Sequence, residues 1–217
     1  LLWNEMNEKL ENDSALTCKG LIERFNVEYA APCASPEDDI NIFKNCERIV
    51  PSFRADKLLI PERDTVKKLS EISGIEIHDF DDYKEAVIKR IDDFNSCGCS
   101  FSDHAIDNGF KYVRDDGKNS ERFILALNRG AENMPLADKQ ALFSEMLRFL
   151  GEEYSKRGWT MQLHIGALRE TSSRLRAAAG AAGGFAAAGD DISIYSLTNL
   201  LDDIEKSRYG LSRTLLY

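Results

Sequence analysis

Short apolar runs alternate along the chain with longer segments whose apolar residues recur at helical spacing. Such runs are typical of buried strands, and the helical spacing indicates amphipathic helices that pack on them. This serial alternation predicts βα units and a parallel sheet, which is an α/β architecture. The predicted strands are Phe25–Ala31, Arg48–Phe53, Cys99–Asp103, Trp159–Ile165 and Thr214–Tyr217.

The predicted helices carry apolar stripes with a period of about 3.6 residues. One shorter helix, Arg63–Ser73, begins after Pro61, a residue favoured near helix starts. The last long helix is predicted over Asp191–Arg208. The stripes of the three long helices are Tyr83, Val87, Ile91 and Phe94; Leu142, Met146, Leu150 and Tyr154; and Ile194, Leu197, Leu200, Leu201 and Ile204.

Several βα units in series leave two architectures, an open doubly wound sheet and a (β/α)₈ barrel. The dinucleotide-binding pattern Gly-x-Gly-x-x-Gly is absent from the sequence. The Ala- and Gly-rich segment 177–189 has neither a following Lys-Ser/Thr nor a strand immediately before it, so we expect a mobile loop over the mouth of a barrel. We therefore predict a partial TIM-type (β/α)₈ barrel of about five central βα units.

The two ends of the chain suggest a piece of a longer protein. Leu1-Leu2-Trp3 begins with helical character and without an initiator methionine, and Thr214–Tyr217 stops inside a predicted strand. We expect residues 1–217 to be the central portion of a single barrel domain that is truncated at both ends.

Composition and charge exclude some classes of binding partner. The net charge of −9 comes without a basic stripe, which argues against nucleic acid, and no apolar run reaches the length of a membrane span. The chain has five cysteines, an odd number, and is too large to need disulfides for stability. We expect a cytoplasmic protein with reduced thiols.

The strand Trp159–Ile165 predicts where the chemistry lies. Met161 and Leu163 share one face, and Thr160, Gln162 and His164 share the other. In a parallel barrel the carboxyl ends of the strands carry the functional groups. His164 is therefore a candidate, and His104, which also follows a predicted strand, would converge on the same rim. The alternative is that His164 only hydrogen-bonds a neighbouring strand, and His78 lies in a linker.

Two arginines at strand ends suit an acidic ligand. Arg54 follows a predicted buried strand, and its guanidinium can bind a carboxylate with two parallel hydrogen bonds. The alternative is a surface ion pair with Asp56. Arg169 could likewise bind a carboxylate of a ligand or form a surface ion pair. The pair Cys97 and Cys99 is too closely spaced for a good zinc chelate, so we expect two buried thiols there.

Four stretches of the sequence resemble uronate isomerases, a divergent branch of the amidohydrolase superfamily. They occur in the order found in that family, and the second and fourth are the most specific. The stretches are residues 20–28 (GLIERFNVE), 50–57 (VPSFRADK), 98–104 (GCSFSDH) and 159–169 (WTMQLHIGALR).

The resemblance implies a distorted (β/α)₈ barrel that interconverts D-glucuronate with D-fructuronate and D-galacturonate with D-tagaturonate. This isomerisation moves a proton between C2 and C1 through an enediol-like intermediate. Arg54 matches the arginine of the family's Pro-Ser/Thr-Phe-Arg-x-Asp, and Arg169 the arginine of His-Ile-Gly-Ala-x-Arg, which implies that both bind substrate. Asp103 matches the aspartate of Ser-Asp-His, and His164 matches the histidine of His-Ile-Gly-Ala-x-Arg, which implies catalytic roles in hydroxyl contacts or proton relay.

The chain also departs from the family pattern. The amino-terminal His-x-His metal motif and the aspartate of the last strand are not in this sequence, and the segment 31–36 lacks the two aspartates of the family's Cys-Thr-Thr-Asp-Asp-Pro turn. Of the three aspartates in the family's glycine-rich loop, only Asp190 is kept. The divalent metal that the family implies, such as zinc, would thus take its ligands from outside this chain.

The resemblance further implies a hexuronate as small-molecule partner, and we expect a homo-oligomer. Two alternatives stay open: another amidohydrolase-type activity such as hydrolysis, and a degenerate, non-catalytic homologue that binds a sugar acid or a partner protein.

Overall fold

A parallel sheet of five strands forms the centre of the molecule, in a computed structural model that describes residues 1–44, 46–107, 109–180, 183–190 and 192–217. The strand order is β1-β2-β3-β4-β7, so neighbours in the sheet follow chain order without reversal. This confirms the predicted series of βα units. The strands are β1 (Cys33–Ala34), β2 (Ser52–Arg54), β3 (Phe101–Ile106), β4 (Thr160–Ile165) and β7 (Thr214–Leu216), and a separate antiparallel pair consists of β5 (Ala167–Leu168) and β6 (Ala187–Ala188).

Helices connect the strands and cover one side of the sheet. The α-helices of the described residues are α1 (Leu2–Asn12), α2 (Cys18–Arg24), α3 (Asp56–Leu59), α4 (Arg63–Ser73), α5 (Phe80–Ser96), α6 (Asn119–Arg129), α7 (Leu136–Arg157), α8 (Ser173–Ala179) and α9 (Ile194–Glu205). In the described part of the chain, no helix combines the length and the apolarity that crossing a membrane would require.

The helix predictions are confirmed by α4, α5, α7 and α9. The stripes of α5 and α7 are buried along their whole length. Helix α9 begins at Ile194, and Ile194 itself is exposed, while Leu197, Leu200 and Ile204 are buried. The predicted start of this helix, Asp191, lies outside the described residues.

The strand predictions are accurate for β4 and β7 and wrong in part for the others. No strand forms at Phe25–Ala31, because Asn26 has a left-handed φ of 51° and only Ala30 makes an isolated bridge, to Ile49. Two prolines then interrupt the ladder, Pro32 in one segment and Pro51 in the other, since proline has no N–H to donate. Strands β1 and β2 therefore begin only after these prolines.

Strand β3 lies further along the chain than predicted. Gly98, with a φ of 82°, forms the turn after α5, and the strand begins at Phe101 rather than at Cys99. Its pairing with β4 continues through Ile106, three residues beyond the predicted end. Cys97 and Cys99 are buried free thiols, as expected.

The segment 177–189 is not a loop throughout. Its first residues belong to α8, whose N-cap is the Ser172 hydroxyl, and alanine is the residue that best stabilises a helix. Ala187–Ala188 forms β6 and pairs with β5. Ala181 and Ala182 of the expected loop lie outside the described residues.

The register of β2, β3 and β4 divides the sheet into two sides. Phe53, Ser102 and Met161 are partners across the three strands, as are Arg54, Asp103 and Gln162. The first set, together with His104 and Leu163, is fully buried against the helices, and we call it the helix-facing side. The second set, together with His164, is the polar side. Strand alternation thus confirms that His164 lies opposite Met161 and Leu163.

Candidate active site

Asp103 lies at the centre of a cluster on the polar side of the sheet. It is 1% exposed, and its carboxylate is flanked by Arg54 on β2 and His164 on β4. Arg54 Nη1 lies 3.1 Å from Oδ2 of Asp103, and His164 Nδ1 lies 2.7 Å from Oδ1. The imidazole contact is short, although its geometry is not that of a hydrogen bond. A buried carboxylate is tolerated because cationic groups and donors surround it.

Arg54 is held by two carboxylates. Its Nε donates to Asp56 Oδ2 at 3.0 Å, and Asp56 Oδ1 accepts a hydrogen bond from the Ala105 N–H at 3.0 Å. Burial acts to lower the pKa of Arg54, but Asp56 and Asp103 outweigh it and raise that pKa. The ion pair with Asp56 that we considered as an alternative is therefore present together with the pair to Asp103. The guanidinium side chain is still 38% exposed and so reaches solvent.

His164 presents one nitrogen to the protein and the rest of its ring outward. Nδ1 is buried beside Asp103, while the side chain as a whole is 41% exposed. The carboxylate beside Nδ1 fixes the orientation of the imidazole. Nε2 is then the nitrogen available to a ligand.

Arg169 lies apart from this cluster among the described residues. It follows β5, and its Nε lies 3.0 Å from both carboxylate oxygens of Asp107, the residue after β3. The two side chains are 47% and 46% exposed. Gly166, with a φ of 74°, turns the chain between β4 and β5, and its carbonyl accepts a hydrogen bond from the Gly189 N–H at 2.7 Å. The structure thus brings together three of the four predicted site residues, and it pairs Arg169 with Asp107.

His104 does not converge with His164, contrary to our expectation. It lies within β3 rather than after it, and it follows Asp103 directly, so it points to the opposite side of the sheet. There its Nε2 is 3.0 Å from the Tyr154 hydroxyl on α7. Complete burial lowers the pKa of His104 to about 4, which keeps it neutral. His78 is an exposed linker residue beside Glu76.

Two further residues of the cluster escaped the sequence analysis. The Cys33 thiol on β1 lies 3.6 Å from Asp103 Oδ2, and the Tyr217 hydroxyl donates to Asp103 Oδ1 at 3.2 Å. Partial burial, followed by the negative charge of Asp103, raises the pKa of Cys33 and raises that of Tyr217 to about 12. Both are therefore protonated donors at neutral pH. Tyr217 was inside a predicted strand, but its side could be assigned only once the register with β4 was known.

The donors of this cluster do not fit a metal ion. Within the described ranges, no three His, Cys, Asp or Glu side chains come together as a metal site. Asp103 is the carboxylate at the centre, and the guanidinium of Arg54 already lies beside it, so a second cation there would be repelled. The cluster can instead bind an anion through Arg54 and exchange a proton through His164.

Comparisons with known proteins identify the family of this chain. A sequence profile described as glucuronate isomerase matches residues 1–217. The uronate isomerase of Clostridium perfringens is 36% identical over 227 residues and that of Haemophilus influenzae is 35% identical over 230, each covering 100% of this chain. The chain spans about half the length of these relatives, 48% in both cases.

Two solved structures share the fold. The uronate isomerase of Thermotoga maritima superposes with a TM-score of 0.86 at 23% identity, over 100% of this chain and 48% of that one. The glucuronate isomerase of Caulobacter crescentus superposes with a TM-score of 0.82 at 20% identity, over 99% of this chain and 46% of that one. These neighbours are TIM-type barrels, which confirms the prediction of a partial barrel. Because the profile covers the whole sequence, the chain belongs to the glucuronate isomerase family.

Proposed function

We propose that the full-length protein is an aldose–ketose isomerase of hexuronates. The observation that carries the proposal is the buried carboxylate of Asp103, which holds Arg54 and His164 on one side of the sheet. Family membership supports the same activity. A hexuronate offers a carboxylate for a guanidinium and neighbouring hydroxyl and carbonyl groups for an imidazole.

The reaction converts an aldehyde at C1 and a hydroxyl at C2 into a ketone at C2 and a hydroxyl at C1. A base takes the proton from C2, the enediol forms, and a proton is returned to C1, while the hydroxyl proton passes from O2 to O1. In our proposal His164 moves a proton at a substrate oxygen through Nε2, because Asp103 stabilises the imidazolium from the side of Nδ1. Arg54 stabilises the negative charge that develops on the oxygens.

Arg169 is the group that we propose to bind the substrate carboxylate. Its partner Asp107 is half-exposed, and a bound carboxylate would replace that partner with little loss of hydration energy. A guanidinium also donates two parallel hydrogen bonds to a carboxylate, which the ammonium group of a lysine does less well. In this proposal Arg169 binds the substrate and takes no part in proton transfer.

The remaining properties are proposals for the whole protein. We propose a cytoplasmic homo-oligomer that acts on a small hexuronate. A divalent metal such as zinc, if the protein holds one, takes its ligands from outside this chain, where it would act as a Lewis acid on a substrate oxygen. None of the relatives and structures named above is described as a hydrolase or as a non-catalytic binding protein.

The test is to incubate the full-length protein with D-glucuronate and with D-galacturonate and to follow ketose formation. We expect ketose from at least one of the two acids. His164→Asn should lower turnover by about 100-fold, since proton transfer by a positioned side chain contributes that much or more. The matched control is His78→Asn, because the His78 side chain is 75% exposed and outside the cluster. Absence of ketose from both acids would overturn the proposal, and turnover of His164→Asn within a few-fold of the parent would remove His164 from it.

A further inference from the structure

Tyr217 contacts both Asp103 and His164. Its hydroxyl donates to Oδ1 of Asp103 at 3.2 Å, and the same oxygen lies 2.7 Å from Nδ1 of His164. Its ring centroid is 4.1 Å from the centroid of the imidazole, with the two planes inclined by 56°. One side chain therefore touches the carboxylate through its hydroxyl and the imidazole through its ring.

The backbone of Tyr217 is bonded to the strand that carries His164. Its N–H donates to the Leu163 carbonyl at 3.2 Å, and its carbonyl accepts from the Ile165 N–H at 2.8 Å. These two hydrogen bonds lie on either side of His164 along β4. The phenol ring is thus held at a fixed height beside the imidazole, which a residue on an unattached loop would not be.

The Tyr217 hydroxyl donates its one proton to Oδ1 of Asp103. The same oxygen lies beside Nδ1 of His164. With its pKa at about 12, raised by burial and by Asp103, the hydroxyl stays protonated through the range in which histidine titrates. A donor on Oδ1 withdraws part of the negative charge that would otherwise stabilise the imidazolium. The other groups facing the pair are Arg54, Asp56 and Cys33, and they remain unchanged when only Tyr217 is altered.

We propose that Tyr217 is a positioning residue, which sets the orientation and the proton affinity of His164 by sharing Oδ1 of Asp103. The proposal rests on the proposed isomerase function for its kinetic test and on the geometry alone for its spectroscopic test. The ring packs on the imidazole, and the hydroxyl limits how strongly Asp103 attracts its proton. Loss of the hydroxyl alone should therefore make His164 more basic.

The kinetic test compares Tyr217→Phe with the parent in the full-length protein. Phenylalanine keeps the ring contact and removes the hydroxyl. We expect the limb of the pH profile of kcat/KM that belongs to His164 to move up by about half a unit or more, because one donor to a charged acceptor is lost. We expect kcat to fall several-fold with little change in KM, since the substrate contacts are retained.

The matched control is Tyr112→Phe. The Tyr112 hydroxyl also donates to a carboxylate, Asp203 Oδ2 at 2.9 Å, but Asp203 belongs to helix α9 and not to the cluster. Both variants lose one tyrosine–carboxylate hydrogen bond, so both should lower the thermal midpoint to a similar degree. Only Tyr217→Phe should move the pH profile.

An unmoved pH profile in Tyr217→Phe, or an equal shift in Tyr112→Phe, would overturn the inference. If the parent protein makes no ketose, the proposed function has failed, and NMR titration of the imidazole decides the inference separately. The ring signals of His164 are assigned by comparison with His164→Asn. An upward shift of their titration in Tyr217→Phe supports the role of the hydroxyl, and an unchanged titration contradicts it.

Discussion

Strands β3 and β4 have two sides with opposite chemistry. On the helix-facing side, Met161, Leu163 and even His104 are fully buried, and the imidazole of His104 is neutral. On the polar side, Asp103 is just as buried but ionic partners surround it, and His164 is partly exposed. Two histidines on neighbouring strands thus have different environments because they occupy opposite positions in the strand alternation. One side stabilises the fold, and the other offers groups for chemistry.

The largest effect is expected on the helix-facing side, from Phe53→Ala. Phe53 is fully buried, and its ring contacts Phe94, Tyr154 and Trp159 at centroid distances of 4.8, 6.3 and 6.1 Å. Removal of a buried phenylalanine lowers the free energy of unfolding by about 3–5 kcal/mol. Chemical denaturation of the full-length protein measures the loss. Phe53→Leu is the graded control and should lose much less; equal losses in both variants would contradict the cavity argument.

A slightly smaller effect, and one on activity rather than stability, is expected from Asp103→Asn on the polar side. Asparagine keeps the volume and an acceptor for Tyr217 but removes the charge that stabilises the imidazolium. We expect kcat/KM to fall roughly 100- to 1000-fold, equivalent to about 3–4 kcal/mol.

The control for this substitution is Asp203→Asn, which also removes a carboxylate that accepts from a tyrosine hydroxyl. Asp203 lies on α9 and should leave kcat/KM nearly unchanged. Activity of Asp103→Asn within about ten-fold of the parent would mean that the polar side does not carry the reaction.

The third prediction concerns pH and the helix-facing side. Burial lowers the pKa of His104 from its usual 6.5 to about 4. Between these two pH values, the His104 imidazole is neutral in the folded protein but takes up a proton in the unfolded chain. Asp56, Asp103 and Arg54 also act on this pKa, and Tyr154 is the hydrogen-bond partner. The free energy of unfolding should therefore fall as pH drops from 6.5 towards 4, by at most about 1.4 kcal/mol per unit from this group.

His104→Gln should remove that part of the pH dependence, because glutamine does not titrate. Thermal midpoints measured between pH 7 and 4 should thus change less with pH in the variant than in the parent. The matched control is His78→Gln, since His78 is an exposed linker residue, and it should follow the parent. A parallel fall in parent and His104→Gln would contradict the burial argument.

The difference between the two sides also explains how much could be predicted from sequence. The alternation within Trp159–Ile165 was enough to place His164 opposite Met161 and Leu163, because one strand defines its own two faces. The amphipathic helices could be predicted for the same reason, because each apolar stripe lies within one continuous segment. Arg54 and His164 were candidates because of their places at predicted strand ends, and Asp103 was found through the resemblance.

What could not be predicted depends on pairing between distant segments. The contact of Arg54 with Asp103 follows from the β2–β3 register, and a single sequence does not contain that register. The prolines at positions 32 and 51 displaced β1 and β2 from the apolar runs, and β3 extended through Ile106 because β4 pairs with it that far. Misplacing the end of β3 also led us to expect His104 on the same rim as His164.

The smallest effect is expected at the rim, where Arg169 pairs with Asp107 in a half-exposed environment. Such pairs contribute less than about 1 kcal/mol to stability, so Asp107→Asn should leave the thermal midpoint nearly unchanged. If Asp107 competes with the substrate carboxylate for Arg169, its removal should lower KM, by a factor of up to about five at this energy. Asp202→Asn, which removes a carboxylate of α9 that lies beside Arg114, is the control and should not alter KM. A higher KM in Asp107→Asn would instead mean that Asp107 orients Arg169 for binding, which would extend the polar side of the sheet to its rim.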